Sequence, residues 1–309
     1  MPADRSRAGV LERPSRVDFA LLAIGVAGVS TSAPLIKAAA APALAVAFWR
    51  NALASLILVP YAAARHRAEL RGLTRRDVRL CVLAGLLLAA HFATWIPSLS
   101  FTSVSSSVAL VATQPVWAAV VARLRGEVVT QRAWAGIALA VLGAVLLSGI
   151  DLTISARALF GDVLALVGGV FAAMYVTVGA EVRRTLSTTA YTTICYVVAA
   201  VVLLVTCLGS TQPMAGYGAS TWWRIVALTV LAQLLGHSVF NRVLKTTSPT
   251  VVSIAILFEI VGAAVLAALF IGERPPLVAL PAAALIAVGV VVVVRSGSRP
   301  EVAGTPVVE

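Results

Sequence analysis

Residues 244 to 274 read LKTTSPTVVSIAILFEIVGAAVLAALFIGER, and the fold turns on this stretch. A basic, hydroxyl-rich entry leads into a largely apolar run from Pro249 to Ile271, which closes on Gly272, Glu273 and Arg274. An α-helix needs about twenty such residues to cross a ~30 Å hydrocarbon core, so a membrane-spanning helix is predicted. Glu259 falls about ten residues in from Pro249, roughly 15 Å deep at about 1.5 Å per residue, close to the bilayer centre. A central acidic residue costs about 2.5 to 3.5 kcal/mol and characteristically faces the bundle interior or a water-filled cavity. Function is expected near it.

The whole chain agrees with that reading. Of 309 residues 60% are hydrophobic and 12% charged, with mean hydropathy +0.97, against about 45 to 50% and about 25% in soluble domains. The net charge of +11 comes from 24 basic and 13 acidic residues. The basic residues lie mostly between apolar runs rather than among aromatic platforms, so they read as topology signals and no nucleic-acid partner is expected. Cys81, Cys195 and Cys207 fall within apolar runs without ligand-like spacing, which suggests neither a disulfide framework nor a metal site.

Ten apolar runs follow a polar, Arg- and Pro-rich start. They lie at approximately 18–36, 43–63, 80–97, 103–122, 133–150, 161–180, 189–208, 222–241, 249–271 and 277–294. With the N-terminus inside, nineteen Lys and Arg fall on the cytoplasmic side. Only Lys37, Arg157, Arg224 and Arg274 fall outside, and Arg50 lies within the second span. This places both termini in the cytoplasm. The loop from Arg65 to Arg79 is the longest cytoplasmic connection and reads as a solvated topology loop, with contact to anionic headgroups as the alternative.

The halves repeat. LSFTSVSSSVALVATQPVWAAVVARL, Leu99 to Leu124, meets LKTTSPTVVSIAILFEIVGAAVLAAL, Leu244 to Leu269, at a shift of 145 residues. Gln114 then falls on Glu259, and Ala118, Ala119 and Ala122 fall on Ala263, Ala264 and Ala267. After a one-residue offset Gly126, Glu127 and Gly143 meet Gly272, Glu273 and Gly289, while Asp18 and Gly25 match Asp162 and Gly169. Five spans per half is an odd number, so the copies run in opposite orientations. Inverted repeats of this kind are a transporter architecture with the substrate site near the midplane.

The expected architecture is therefore an all-α integral membrane protein of ten transmembrane helices in two inverted five-helix repeats. Its divisions are a disordered N-terminus (1–16), a first repeat (17–150), a second repeat (151–295) and a disordered C-terminus (296–309). Two stretches carry a family resemblance: HFATWIPSLSFTSVSSSVALVATQPVWAAVVARLRGE, from His91 to Glu127, and GHSVFNRVLKTTSPTVVSIAILFEIVGAAVLAALFIGE, from Gly236 to Glu273. With these the chain resembles the EamA-type transporters of the drug/metabolite transporter superfamily, over nearly its whole length. The resemblance implies a 5+5 inverted bundle, a central cavity, and alternating access for export of amino acids or related metabolites. It also supports a functional Arg50 after Phe48 and Trp49. One departure is Ile260, where the family's second half usually has proline after the glutamate. Ile supplies a backbone donor and has no ring clash, so the ninth helix lacks the basis for a proline-dependent bend.

Eight residues are candidates for substrate binding or coupling. Glu259 could carry a coupling proton, or serve as a structural carboxylate bonded to a neighbouring helix. Arg50, roughly 10 Å deep, could bind a substrate carboxylate, neutralise Glu259, or snorkel to the outer headgroups. His91, near the midplane of the third span, could donate and accept for a polar substrate or satisfy an interhelical bond. His237, nearer the cytoplasmic end of the eighth span, reads as structural. Ser103, Ser107, Gln114 and Ala118 follow helical spacing on the fourth span, and their partners Ser248, Val252, Glu259 and Ala263 trace the ninth. Trp95, Trp117, Tyr175 and Phe258 could line an apolar cavity or simply pack.

No His-Glu-x-x-His, Gly-x-Ser-x-Gly or phosphate-cradling loop is present. No enzymatic activity, cofactor or metal is expected. Partners would be a small-molecule substrate and the lipid bilayer, with possible proton coupling and an open oligomeric state. The Arg-rich, Lys-poor composition suits a bacterial cytoplasmic membrane. Import, exchange, passive facilitation and a non-transporting scaffold are the competing roles.

Overall fold

The computed structural model describes residues 15–126, 128–236, 239–240, 243, 252 and 255–296. Glu127, His237, Arg242, Lys245 and Ser248 lie outside the described residues, as do 1–14 and 297–309. The described residues form α-helices and no strand. In order they are α1 (Arg16–Ser30), α2 (Ser32–Ala38), α3 (Ala43–Arg65), α4 (Arg67–Arg71), α5 (Arg75–Ser98), α6 (Val104–Val111) and α7 (Gln114–Leu124). Then come α8 (Gln131–Ile154), α9 (Ala156–Val182), α10 (Thr188–Gly209), α11 (Ala219–Ala227) with its π-helical continuation Leu228–Gly236, α12 (Phe258–Phe270) and α13 (Ala279–Ser296). Among the described residues eight stretches are long and apolar enough to cross a membrane, and α12 is a shorter apolar helix.

Hydroxyl residues set where the helices begin. Ser15, Thr74, Ser103, Thr130, Ser155 and Ser187 each accept a backbone N–H three residues on, satisfying donors that the first turn leaves open. Ser15 with Asp18, and Thr74 with Asp77, form full capping boxes. The Thr74 box starts α5 at Arg75, five residues before the apolar run at 80. The first run is also interrupted: at Thr31 both the N–H and the hydroxyl turn back onto the Gly28 carbonyl, dividing α1 from α2.

The two halves are arranged alike. The first span packs on the π-helical segment of the eighth as α5 packs on α9, and α12 packs on α1 and α2 as α6 and α7 pack on α9. The second and seventh spans (α3, α10) and the fifth and tenth (α8, α13) pair with each other. At the α8/α13 seam a Cβ on Gly143 would meet Ala282 and Ile286, and one on Gly289 would meet Gly136 and Ala140. The 146-residue shift that carries Gly143 onto Gly289 also carries 136 onto 282 and 140 onto 286. Lipid supplies no hydrophobic drive between helices, so this close approach of small residues is what holds the seam. Gly126 and Gly272 both adopt positive φ, 88° and 69°, at the matching ends of α7 and α12. Only glycine takes that conformation without strain.

Candidate functional site

Arg50 is the largest fully buried side chain, with 1% exposure, and does not snorkel to the surface. Its Nε donates to Oε1 of Gln233 at 2.7 Å. The Gln233 amide nitrogen donates to Asn51 Oδ1 at 3.2 Å, and Asn51 Nδ2 donates to the Ala47 carbonyl at 2.8 Å. The guanidinium also lies 4.3 Å from the ring centroid of Phe92 on α5, a cation–π distance. One helix of the first half thus offers the cation, and the π-helical segment of the second half fixes its fork. Nη1 is buried without a hydrogen-bond partner among the described residues. A buried guanidinium N–H left open costs free energy and is a prepared donor for an anion.

Glu259 supplies the opposite charge. It occupies the first turn of α12, just after an interruption at Leu257, where the Ile260 N–H bonds the Leu257 carbonyl at 3.2 Å. The fourth span breaks at the equivalent place, Ala112 and Thr113, with the Val116 N–H on the Thr113 carbonyl at 2.8 Å. Gln114 is the first residue of α7. The 145-residue shift superposes the two breaks, so Gln114 and Glu259 both sit on a fresh helical N-terminus near mid-span. The ninth span is interrupted even though Ile260 replaces proline: a turn of i→i−3 bonding makes the break without a ring clash. Glu259 is half-buried and interacts electrostatically with Arg50. Among the described residues it forms neither a hydrogen bond nor an ion pair.

The remaining candidates fall into two groups. His91 on α5 is half-buried, with Nδ1 2.9 Å from the Gly168 carbonyl of α9 and its ring stacked on Trp95 at 5.5 Å. A carbonyl can only accept, so Nδ1 carries the hydrogen. Phe92, next in sequence, is the ring under Arg50, which ties His91 to the same helix turn. Gln114 and Trp117 are half-buried on α7, and the Trp117 indole donates to Thr113 at 3.0 Å. Tyr175 stacks on Tyr191, with centroids 6.1 Å apart.

Ser107 and Trp95 are instead built into the α5 packing. The Ser107 hydroxyl is fully buried 2.7 Å from that of Ser98, which itself donates to the Trp95 carbonyl. Trp95 is 5% exposed against Gly168. Phe258 lies outside the core at 63% exposure. The sequence reading missed Gln233, Asn51 and Phe92, the residues that hold Arg50. Two of these are polar residues inside apolar runs, and Asn51 adjoins Arg50. That signal was present but carried no charge.

Ties cross between the halves at both faces. At one face Lys37 Nζ pairs with Glu273 at 2.6 Å and donates to the Thr102 carbonyl at 3.0 Å, while Glu273 accepts the Val104 N–H. Trp49 donates to the Met214 carbonyl at 2.8 Å and meets Trp222 edge-on. At the opposite face Arg76 pairs with Glu181 at 2.7 Å. Glu69 accepts the Ser187 N–H and hydroxyl, at 2.5 and 2.7 Å. Partial burial pushes the Glu69 carboxyl up, but the bonds from Ser187 and His66 outweigh it and hold the group below its usual range.

A family model described as EamA-like transporter family matches the chain twice, at residues 17–149 and 159–295. A crystal structure of another protein is similar with a TM-score of 0.61 and 16% identity, over 90% of this chain and 98% of its own length. At that identity the likeness concerns the fold alone. No curated protein sequence matches.

Proposed function

The chain belongs to the EamA-like transporter family, and we propose that it exports small organic metabolites, amino acids or related compounds, as a secondary transporter working by alternating access. The observation that carries this reading is the buried Arg50, whose Nη1 has no hydrogen-bond partner among the described residues and whose charge is coupled electrostatically to the Glu259 carboxyl of the other half. A substrate carboxylate placed on Nη1 would complete the guanidinium's hydrogen bonds. A group with a donor hydrogen, or a proton, would complete Glu259. In this reading His91, Gln114, Trp117 and Tyr175 would supply polar and aromatic walls to the site.

The proposed cycle rocks the helix pairs about the midplane, exposing the Arg50/Glu259 site to each face in turn. Uptake and loss of a proton at Glu259 would couple the motion to a proton gradient. A purely structural scaffold would gain nothing from leaving a buried guanidinium and a mid-span carboxylate unpaired, since each is costly in the bilayer. Residues 17–150 and 151–295 would act as the two rocking repeats. Both termini would lie in the cytoplasm of a bacterial inner membrane, and the reading includes no enzymatic step.

Flux of a panel of labelled amino acids and small metabolites in proteoliposomes tests the reading. Saturable movement of one compound, with loss in Arg50→Gln, supports it. Efflux set against uptake and counterflow separates export from import, exchange or facilitation. A correctly folded protein that moves no member of a broad panel would refute the metabolite assignment.

A further inference from the structure

A second group of buried acids lies away from the Arg50/Glu259 site. Asp151, near the end of α8, and Asp162, in the second turn of α9, are 3% and 0% exposed. They converge on one side chain in the turn between α5 and α6. The Thr102 hydroxyl donates to Asp162 Oδ1 at 2.8 Å, with Asp151 Oδ2 at 3.4 Å. The turn is pressed onto α9 where Gly161 leaves room, since a Cβ there would fall 2.8 Å from Phe101 Cβ and the Thr102 nitrogen.

Hydrogens are short in this group. A carboxylate accepts only, and Thr102 has one hydroxyl hydrogen to give. The two carboxyls approach the same Thr102 hydroxyl, which brings them side by side. Among the described residues Asp162 Oδ2 has no donor although it is buried. Neighbouring cations are engaged elsewhere. Lys37 is on Glu273 and the Thr102 carbonyl; Arg157 reaches the Ser100 carbonyl at 3.5 Å and lies 5.0 Å from the Phe101 ring centroid. His91, the titratable group of α5 on this side of the bundle, is turned to Gly168, about two turns farther along α9. Two buried carboxylates side by side, with no cation on them among the described residues, lack one hydrogen.

We propose that Asp151 and Asp162 hold a single proton between them, forming a proton-binding site at the outer ends of α8 and α9 that is separate from Glu259. One carboxyl keeps its O–H and donates it to the other's carboxylate oxygen, with Asp162 Oδ2 the atom that gains the bond. The proton comes from the outer solution and returns to it. While it is bound, Thr102 is clamped to both helices, and its carbonyl is fixed as the landing point for Lys37 of the tie to Glu273. When it leaves, two like charges share one hydroxyl, and the turn carrying Thr102 loosens.

Infrared spectroscopy of the full chain in lipid tests this, in a Glu259→Gln background that removes the mid-span carboxyl. That background is expected to show a protonated-carboxyl band at neutral pH. Adding either Asp151→Asn or Asp162→Asn should abolish the band, because an amide N–H takes the place of the shared proton. No band in the background, or a band that survives either substitution, overturns the proposal. A band lost on adding sodium ion at fixed pH also overturns it, pointing to a metal cation instead. If either Asn substitution prevents folding, Thr102→Val serves in its place: removing the hydroxyl donor must shift the band, and an unshifted band is contrary. The reading needs no transport, so its failure leaves the transporter assignment standing, and the reverse holds too.

Discussion

Arg50 Nε lies 2.7 Å from Gln233 Oε1, so the buried cation of the first half is aimed by an amide of the second. Because Gln233 is itself held by Asn51, the fork of the guanidinium has one orientation, with Nη1 left open. A hydrogen bond to a charged group is worth about 1.5 to 3 kcal/mol. Gln233→Leu is therefore expected to raise KM for the transported substrate by roughly 10- to 100-fold. Substrate titration of flux checks this, and Gln233→Glu should bind the cation but close it, lowering maximal flux.

The tie between Lys37 and Glu273 should respond to charge. Lys37 and Glu273 pair at 2.6 Å with side-chain exposures of 29% and 21%. A pair this open is worth about 1 kcal/mol or less. Lys37→Glu is expected to increase labelling of a cysteine placed at Ser100 by up to about fivefold. The exchange Lys37→Glu with Glu273→Lys should return labelling toward the starting value. Equal labelling in all three forms would remove the tie from the mechanism.

At the α8/α13 seam, a Cβ on Gly289 would sit 2.5 Å from the Ala140 nitrogen. Backbone cannot move aside as a flexible side chain can. Gly289→Val is expected to cost about 1 to 3 kcal/mol, the usual range for overpacking, and to lower the Tm of the detergent-solubilised protein. Gly149, whose Cβ would meet nothing within 4 Å, is the matched control for Gly→Ala at both positions.

The brace between α4 and the α9/α10 turn should fail on acidification. Hydrogen bonds hold Glu69 below its usual pKa. A depressed carboxyl contributes stability above its unfolded pKa of about 4.3, and this is lost as pH falls through the lower folded value. Protection of the Ser187 amide against hydrogen exchange should be high at neutral pH and fall as acid protonates Glu69, at a pH below the unfolded value of about 4.3. Glu69→Gln should exchange faster at neutral pH and lose most of the dependence.

The sequence carried the architecture further than the site. Lipid forces every crossing segment into a closed backbone ladder, so apolar runs translate directly into helices. Gly143 and Gly289 stood out in the sequence only as repeat partners; their close approach across the α8/α13 seam is a finding of the structure. Helix breaks at Thr31 and Leu257 were not legible, because no proline stands at either and the turns depend on local hydroxyl and i→i−3 bonding. Arg50 and Glu259 stood out through charge, whereas Gln233 and Phe92 orient Arg50 from other helices, through contacts with no periodic trace. Asp162 was visible only as a repeat marker beside Asp18. The environments differ: Asp18 caps α1 with Ser15, while Asp162 is buried against Thr102.

The most direct measurement is substrate flux in proteoliposomes with and without a pH gradient, for wild type and Glu259→Gln. The expected result is a wild-type flux driven by the gradient and a Glu259→Gln flux that the gradient no longer changes. Identical gradient dependence in both proteins would contradict a coupling role for Glu259.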